Sequence, residues 1–178
     1  MRTQEIAAAM QRVEAVLQRR PEAGLHDDAP AAARWTHGTR VVTSHANGVQ
    51  LPTDMPTELG GSGDQVTPGW LFRAGIASCA ATTVALAAAR ADVQLSLLEV
   101  RTGSRSDARG LLGLPEADGT PVCAGPVEVQ LDVRIAAPGM APERLRALVE
   151  DALKRSPMPN ALVRPTPMAL RIEVDGES

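Results

Sequence analysis

The run from Thr67 to Arg90 constrains this chain more than any other segment. Thr67 is a good N-cap and Pro68 suits the first helical position, where its missing N–H costs nothing and its fixed φ is already helical. No further proline occurs before Pro115, and Ala74 to Ala89 carries no charge. The spacing predicts a helix running on toward Arg90, the longest in the chain and built largely of alanine. Small side chains let neighbouring backbones approach closely, so this helix is expected inside a tightly packed core. The uncharged stretch is shorter than the roughly 18 apolar residues of a membrane span and contains Ser78, Cys79, Thr82 and Thr83.

Composition narrows the function. The only aromatic residues are Trp35, Trp70 and Phe72, so the stacking platforms of RNA and single-strand binders are missing. A net charge of -3 and no local basic patch give no field for a phosphate backbone. A length of 178 residues fits one domain, or one domain with an appendage. Arg2, Glu5, Arg12 and Glu14 interrupt any signal-peptide region, which predicts a soluble, cytoplasmic protein. Cys79 and Cys123 lack metal-ligand spacing, so neither a disulfide scaffold nor a metal site is expected, and no cofactor motif occurs.

Residues 2–19 place Ile6, Met10, Val13 and Leu17 on one helical face. Residues 20–33, with Pro21, Gly24, Pro30 and the polar run His26, Asp27, Asp28, read as a linker. The expected division is therefore an N-terminal helix and linker over 1–33 and the main domain over 34–178. A short strand at Arg40 to Ser44, a turn at Asn47-Gly48 and a glycine-rich loop ending at Gly63-Asp64 precede the long helix. Val93, Leu95 and Leu97, and Val127 to Ile135, alternate with polar residues as half-buried strands do. Between them, residues 105–125 are longer than a tight hairpin needs, long enough to cover a site. A helix follows Pro142 and is expected to stop at Pro157 and Pro159, and Met168, Leu170, Ile172 and Val174 form a last strand. This order is α+β, with a long central helix packed against antiparallel sheet, and not the alternation of a doubly wound fold.

The Gly60 to Gly63 run is not a phosphate loop, because Asp64-Gln65 stands where Lys-Ser/Thr would open the helix. His26, His37 and His45 fall in loops or strand edges, where solvated histidines are ordinary. Cys79 remains. A helical cysteine among alanines is most often a small inert hydrophobe, and the helix dipole acts mainly on the first turn, so a reactive Cys79 requires a neighbouring cation.

Pro56-Thr57-Glu58-Leu59-Gly60-Gly61 followed by Thr67-Pro68-Gly69-Trp70-Leu71-Phe72-Arg73-Ala74-Gly75-Ile76-Ala77-Ser78-Cys79 resembles the corresponding stretch of the OsmC/Ohr proteins, the osmotically inducible and organic hydroperoxide resistance proteins. Leu95 to Arg109 resembles the strand after that helix, and Ser156-Pro157-Met158-Pro159-Asn160-Ala161-Leu162 the family's Cys-Pro segment. The resemblance covers about residues 34–174. It implies an OsmC-like fold forming an intertwined homodimer, in which the long helices pack together and each site takes residues from both subunits. Gly75, Ser78, Ala81 and Ala85 form a small-residue stripe compatible with such packing, or with a monomer core. It also implies thiol peroxidase chemistry in oxidative stress defence. A peroxidatic cysteine, here Cys79, attacks an organic hydroperoxide, becomes a sulfenic acid, and is returned by a second cysteine and a thiol reductant.

This chain departs from that pattern in two places. Ser156 occupies the resolving-cysteine position and cannot form a disulfide. Gly69 occupies the position of the acidic residue that orients the family arginine, for which Arg40 is the candidate, with Arg34 and Arg73 as alternatives and Asp54, Glu58 or Asp64 as replacement acids. Cys123 becomes a resolving residue if its α-carbon comes within about 7 Å of that of Cys79. Ser156 itself is expected as a hydroxyl bonded to backbone near the helix end. Two functions stay open: a peroxidase acting through Cys79 with an external thiol, or a noncatalytic dimer holding a small hydrophobic ligand in its interface pocket.

Overall fold

The computed structural model describes residues 3–164 and 166–175. Helix α1 (Thr3–Arg19) is followed by one turn of 3-10 helix at Pro21–Gly24 and an extended link. Strands β1 (Ala32–His37), β2 (Arg40–Ser44) and β3 (Gln50–Thr53) form an antiparallel sheet in that order. The long helix α2 (Pro68–Arg90) comes next, then β4 (Leu97–Ser106), the short helix α3 (Ala108–Leu111), β5 (Pro126–Ala136), α4 (Pro142–Leu153) and α5 (Pro157–Val163). Strands β4 and β5 pair antiparallel with Val100 opposite Val133. The architecture is α+β, as expected.

Helix α2 starts as its sequence dictates. The Thr67 hydroxyl accepts from the Trp70 N–H at 3.2 Å, with Pro68 in the first turn. It buries Ile76, Ala80, Val84 and Ala88, four residues apart, and packs on β4, α4, α5 and α1. Ala88, Val93 and Leu145 form the core there, with Leu95, Ile135, Met140 and Leu148 against them. The opposite flank, Trp70, Ser78 and Thr82, stays exposed. By length and composition alone the whole helix of 23 residues would suffice to cross a membrane, a test that the core helix of a soluble protein passes equally.

Five expectations need correction. Strand β1 begins at Ala32, inside the expected linker. The strand expected from Val93 starts only at Leu97, because the Val93 N–H turns back to the Ala88 carbonyl at 2.8 Å and its side chain plugs the core. Pro157 does not stop a helix but opens α5, since a proline in the first turn sacrifices no hydrogen bond. On α1, Val13 turns outward at 57% exposure, and Ile6, Met10, Glu14 and Leu17 are the half-buried face, with Glu14 paired to Arg90 of α2. The last strand is absent among the described residues. Met168, Leu170, Ile172 and Val174 lie in irregular backbone with their side chains in solvent, and a strand needs a neighbour to satisfy its N–H and C=O groups.

The first sheet stands apart from the rest. Its strands pack on one another but make at most marginal contact with the helices and the second sheet, and it is tied to the segment entering α2 by the bridge of Thr53 to Val66 and by Arg40 of β2, which bonds Ser62 and Asp64. Trp35 and Leu51 consequently remain exposed.

Candidate functional site

Cys79 sits midway along α2, half-buried, where α5 begins. The Met158 N–H, in the first turn of α5, donates to its Sγ at 3.4 Å. The Ser156 hydroxyl, fully buried, lies 3.4 Å from the same sulfur and, where a bond to backbone was expected, meets side-chain partners instead. One turn further along α2, the Thr83 hydroxyl donates to the Cys79 carbonyl at 2.8 Å and lies 3.3 Å from the Ser156 oxygen. The sulfur thus faces a backbone donor and a hydroxyl. Because Ser156 is the residue before Pro157, the same helix start that supplies Met158 also fixes Ser156.

Arg40 opens β2 and is held by acids. Its Nε and Nη2 donate to Asp54 Oδ2 at 3.3 and 3.1 Å, its Nη2 donates to Ser62 Oγ at 2.5 Å, and it pairs with Asp64. Asp54 also accepts from the Thr39 hydroxyl at 2.6 Å, from the Ser62 hydroxyl at 2.7 Å and from the N–H groups of Ser62 and Met55. The Ser62 hydroxyl, then that of Thr39, hold the Asp54 carboxyl far below its ordinary range. The Ser62 hydroxyl likewise lowers Asp64, and the bond to Asp54 raises Arg40.

The glycine-rich loop makes this cluster possible. A Cβ on Gly61 would fall 1.7 Å from the Met55 carbonyl oxygen, so only glycine lets the loop press down and set Ser62 onto Asp54. That close approach, and not phosphate binding, accounts for Gly61.

The structure therefore joins Cys79 to Ser156 and joins Arg40 to Asp54 and Asp64, two of the three acids weighed for the place left by Gly69. Among the described residues no hydrogen bond links the Arg40 cluster to Cys79. Arg73 is engaged elsewhere, its Nη1 donating to Ser104 at 3.2 Å, and Arg34 is exposed on β1. Cys123 is exposed in the long connection, which folds on itself: Arg109 binds Asp107 and Glu116, and a Cβ on Gly110 would meet the Cys123 carbonyl. Thr39, Ser62, Thr83 and Met158 were not singled out from the sequence. Ser156-Pro157 carried a signal for the last, since a Ser-Pro pair reads equally well as an N-cap and first turn.

The Asp54 cluster gives a pH prediction. A carboxyl whose folded pKa is depressed contributes stability that is complete above its unfolded value of about 3.9 and is lost as pH falls below it. Thermal midpoints measured between pH 7 and pH 3 are expected to fall more steeply for the native protein than for Asp54→Asn. Asp54→Asn is expected to lower the midpoint by several degrees at pH 7, because Arg40 loses the more buried of its two charged partners. Parallel curves would show that the cluster does not act as a charged unit.

An α+β chain whose long central helix presents a cysteine to the start of a following helix defines a class of cysteine-centred proteins. A family model, OsmC-like protein, matches residues 61–171, and the chain belongs to that family. Among solved structures it resembles an OsmC-like protein from Mycoplasma pneumoniae, 17% identical over 78% of this chain and 89% of that one, TM-score 0.63. It also resembles a putative organic hydroperoxide resistance protein from Vibrio cholerae with captopril bound in one of its active sites, 26% identical over 78% and 87% of the chains, TM-score 0.53. A third is an organic hydroperoxide resistance protein OsmC from Legionella pneumophila, 23% identical over 78% and 90%, TM-score 0.55. No curated protein matches the sequence.

Proposed function

We propose that this chain reduces organic hydroperoxides through Cys79, using an external thiol, as a homodimer. The observation that carries the reading is the half-buried Cys79 sulfur set between the Met158 N–H and the Ser156 hydroxyl. The thiolate attacks the terminal oxygen of ROOH. The O–O bond breaks, the sulfur becomes a sulfenic acid and RO⁻ leaves, taking a proton as ROH. A thiol then condenses with the sulfenic acid, releasing water and forming a mixed disulfide, and a second thiol returns Cys79 and leaves as the other half of a disulfide. Ser156 takes no part in that exchange and serves as a hydroxyl beside the sulfur.

Substrate class follows from the surroundings. A cleft of about 370 Å³ between α2, β5 and α5 is lined by Ile76, Val129, Leu131, Pro159 and Leu162. Ile76 lies on α2 shortly before Cys79, and Pro159 next to Met158. Apolar walls of this kind favour an organic peroxide over hydrogen peroxide. Stoichiometric cumene hydroperoxide is expected to add one oxygen to Cys79 by intact mass, faster than hydrogen peroxide does. No reaction on folded protein would leave this cleft as a site for an unreacting hydrophobic ligand.

The dimer is supported by what a single chain leaves uncovered: the isolated first sheet, the exposed flank of α2 and the alternating apolar residues 168–174. A second copy would close the first sheet over α2 and bring an Arg40 cluster to each Cys79. Light scattering is expected to give twice 18.7 kDa at micromolar concentration. A monomer at that concentration would sink this part of the reading.

A further inference from the structure

A cavity of about 640 Å³ opens between α1, α2 and α4; Cys79 does not line it, while Thr83 and Pro157, which flank the Cys79 site, form its near edge. Its walls are apolar: Met10 from α1, Leu86 from α2, Val93 and Met140 from the connections, and Leu148 from α4. Three arginines stand around it, Arg90, Arg144 and Arg155. Arg90 is paired with Glu14 of α1, and the Nη2 of Arg155 binds Asp151 Oδ2 at 2.6 Å. The Arg144 guanidinium makes no hydrogen bond or ion pair among the described residues, its backbone N–H alone donating to the Ala141 carbonyl at 3.1 Å, so the rim carries one guanidinium in excess. Met10 lies outside the residues 61–171 that the family model matches.

We infer that this cavity binds an amphipathic carboxylate, the chain of a fatty acid lying along Met10, Leu86 and Leu148 with its carboxylate on Arg144. Volume, wall and charge point to the same ligand. The cavity lies within the size range of small-molecule sites, its lining rewards burial of an alkyl chain, and a guanidinium is matched bidentately by a carboxylate. The inference is independent of Cys79 chemistry and stands whether or not the protein reduces peroxides.

The test uses dodecanoate below its micellar concentration, with dodecanol as the uncharged comparison, measured by calorimetry and thermal shift on the reduced full chain. Dodecanoate is expected to bind one site per chain and raise the unfolding midpoint. Arg144→Gln, at an exposed position, is expected to weaken dodecanoate about tenfold and leave dodecanol unchanged. Ala147→Phe, which projects a ring into the cavity from an exposed position of α4, is expected to abolish both. Absence of binding to the folded native protein would overturn the inference. So would dodecanoate affinity unaffected by Arg144→Gln, whatever Ala147→Phe does.

Discussion

Replacing Cys79 by serine is expected to lower hydroperoxide consumption by at least about 10³-fold with an unchanged fold. The reacting atom is lost, while the change in volume is small at a half-buried position. Serine in place of cysteine keeps the contacts of Met158 and Ser156, so circular dichroism and the thermal midpoint of the variant are expected to match those of the native protein. Native protein mixed with one equivalent of cumene hydroperoxide is expected to gain the mass of one oxygen, trapped by a sulfenic acid reagent, and the variant to gain nothing. Cys123 supplies an internal control, because it is exposed where Cys79 is half-buried. Oxidation confined to Cys123, or equal in the two proteins, would remove Cys79 from the chemistry.

Ser156→Cys is expected to convert the protein from dependence on an external thiol to internal disulfide formation. The Ser156 oxygen lies 3.4 Å from the Cys79 sulfur, and a sulfur–sulfur bond needs about 2.0 Å, a gap that a small side-chain rotation closes. After one equivalent of hydroperoxide the variant is expected to show the loss of two hydrogens, where the native protein retains an oxygen. The disulfide would close a loop of 77 residues and, before any strain, stabilise the oxidised variant by roughly 4 kcal/mol. Its midpoint should therefore rise on oxidation and return on reduction. A variant that stays at the sulfenic acid would place residue 156 wrongly for attack on the sulfur and would weaken the assignment of Ser156 to the resolving position.

The elements that the sequence made legible are those whose residues act locally. Thr67-Pro68 declares the start of α2 through a cap and a ring, and the alternation of Val127 to Ile135 declares β5 through its own pleat. Val93 and Leu95 misled because two apolar residues two apart look alike whether they form a strand or plug a core after a helix end. Pro157 misled because proline is compatible with both the end of one helix and the first turn of the next. At the site, Cys79 was left once other chemistry had been excluded, and Ser156 was joined to it by likeness to a family, since 77 positions separate them and no periodicity links them. The arginine cluster was half legible. Asp54 and Asp64 were named among the replacement acids, but the hydroxyls of Thr39 and Ser62, which do most to hold Asp54 as an anion, are indistinguishable in sequence from ordinary loop polar residues.

Gly61 has no side chain to contribute to any chemistry, yet Arg40 depends on it. The smallest possible change there, to alanine, would put a methyl group inside the space of the Met55 carbonyl and lift Ser62 away from the acid it bonds. A lineage could therefore keep Cys79, Arg40, Asp54 and Asp64 intact and still lose the arrangement through drift at a position that bears no functional group. Comparisons that score only reactive side chains would count such a descendant as complete.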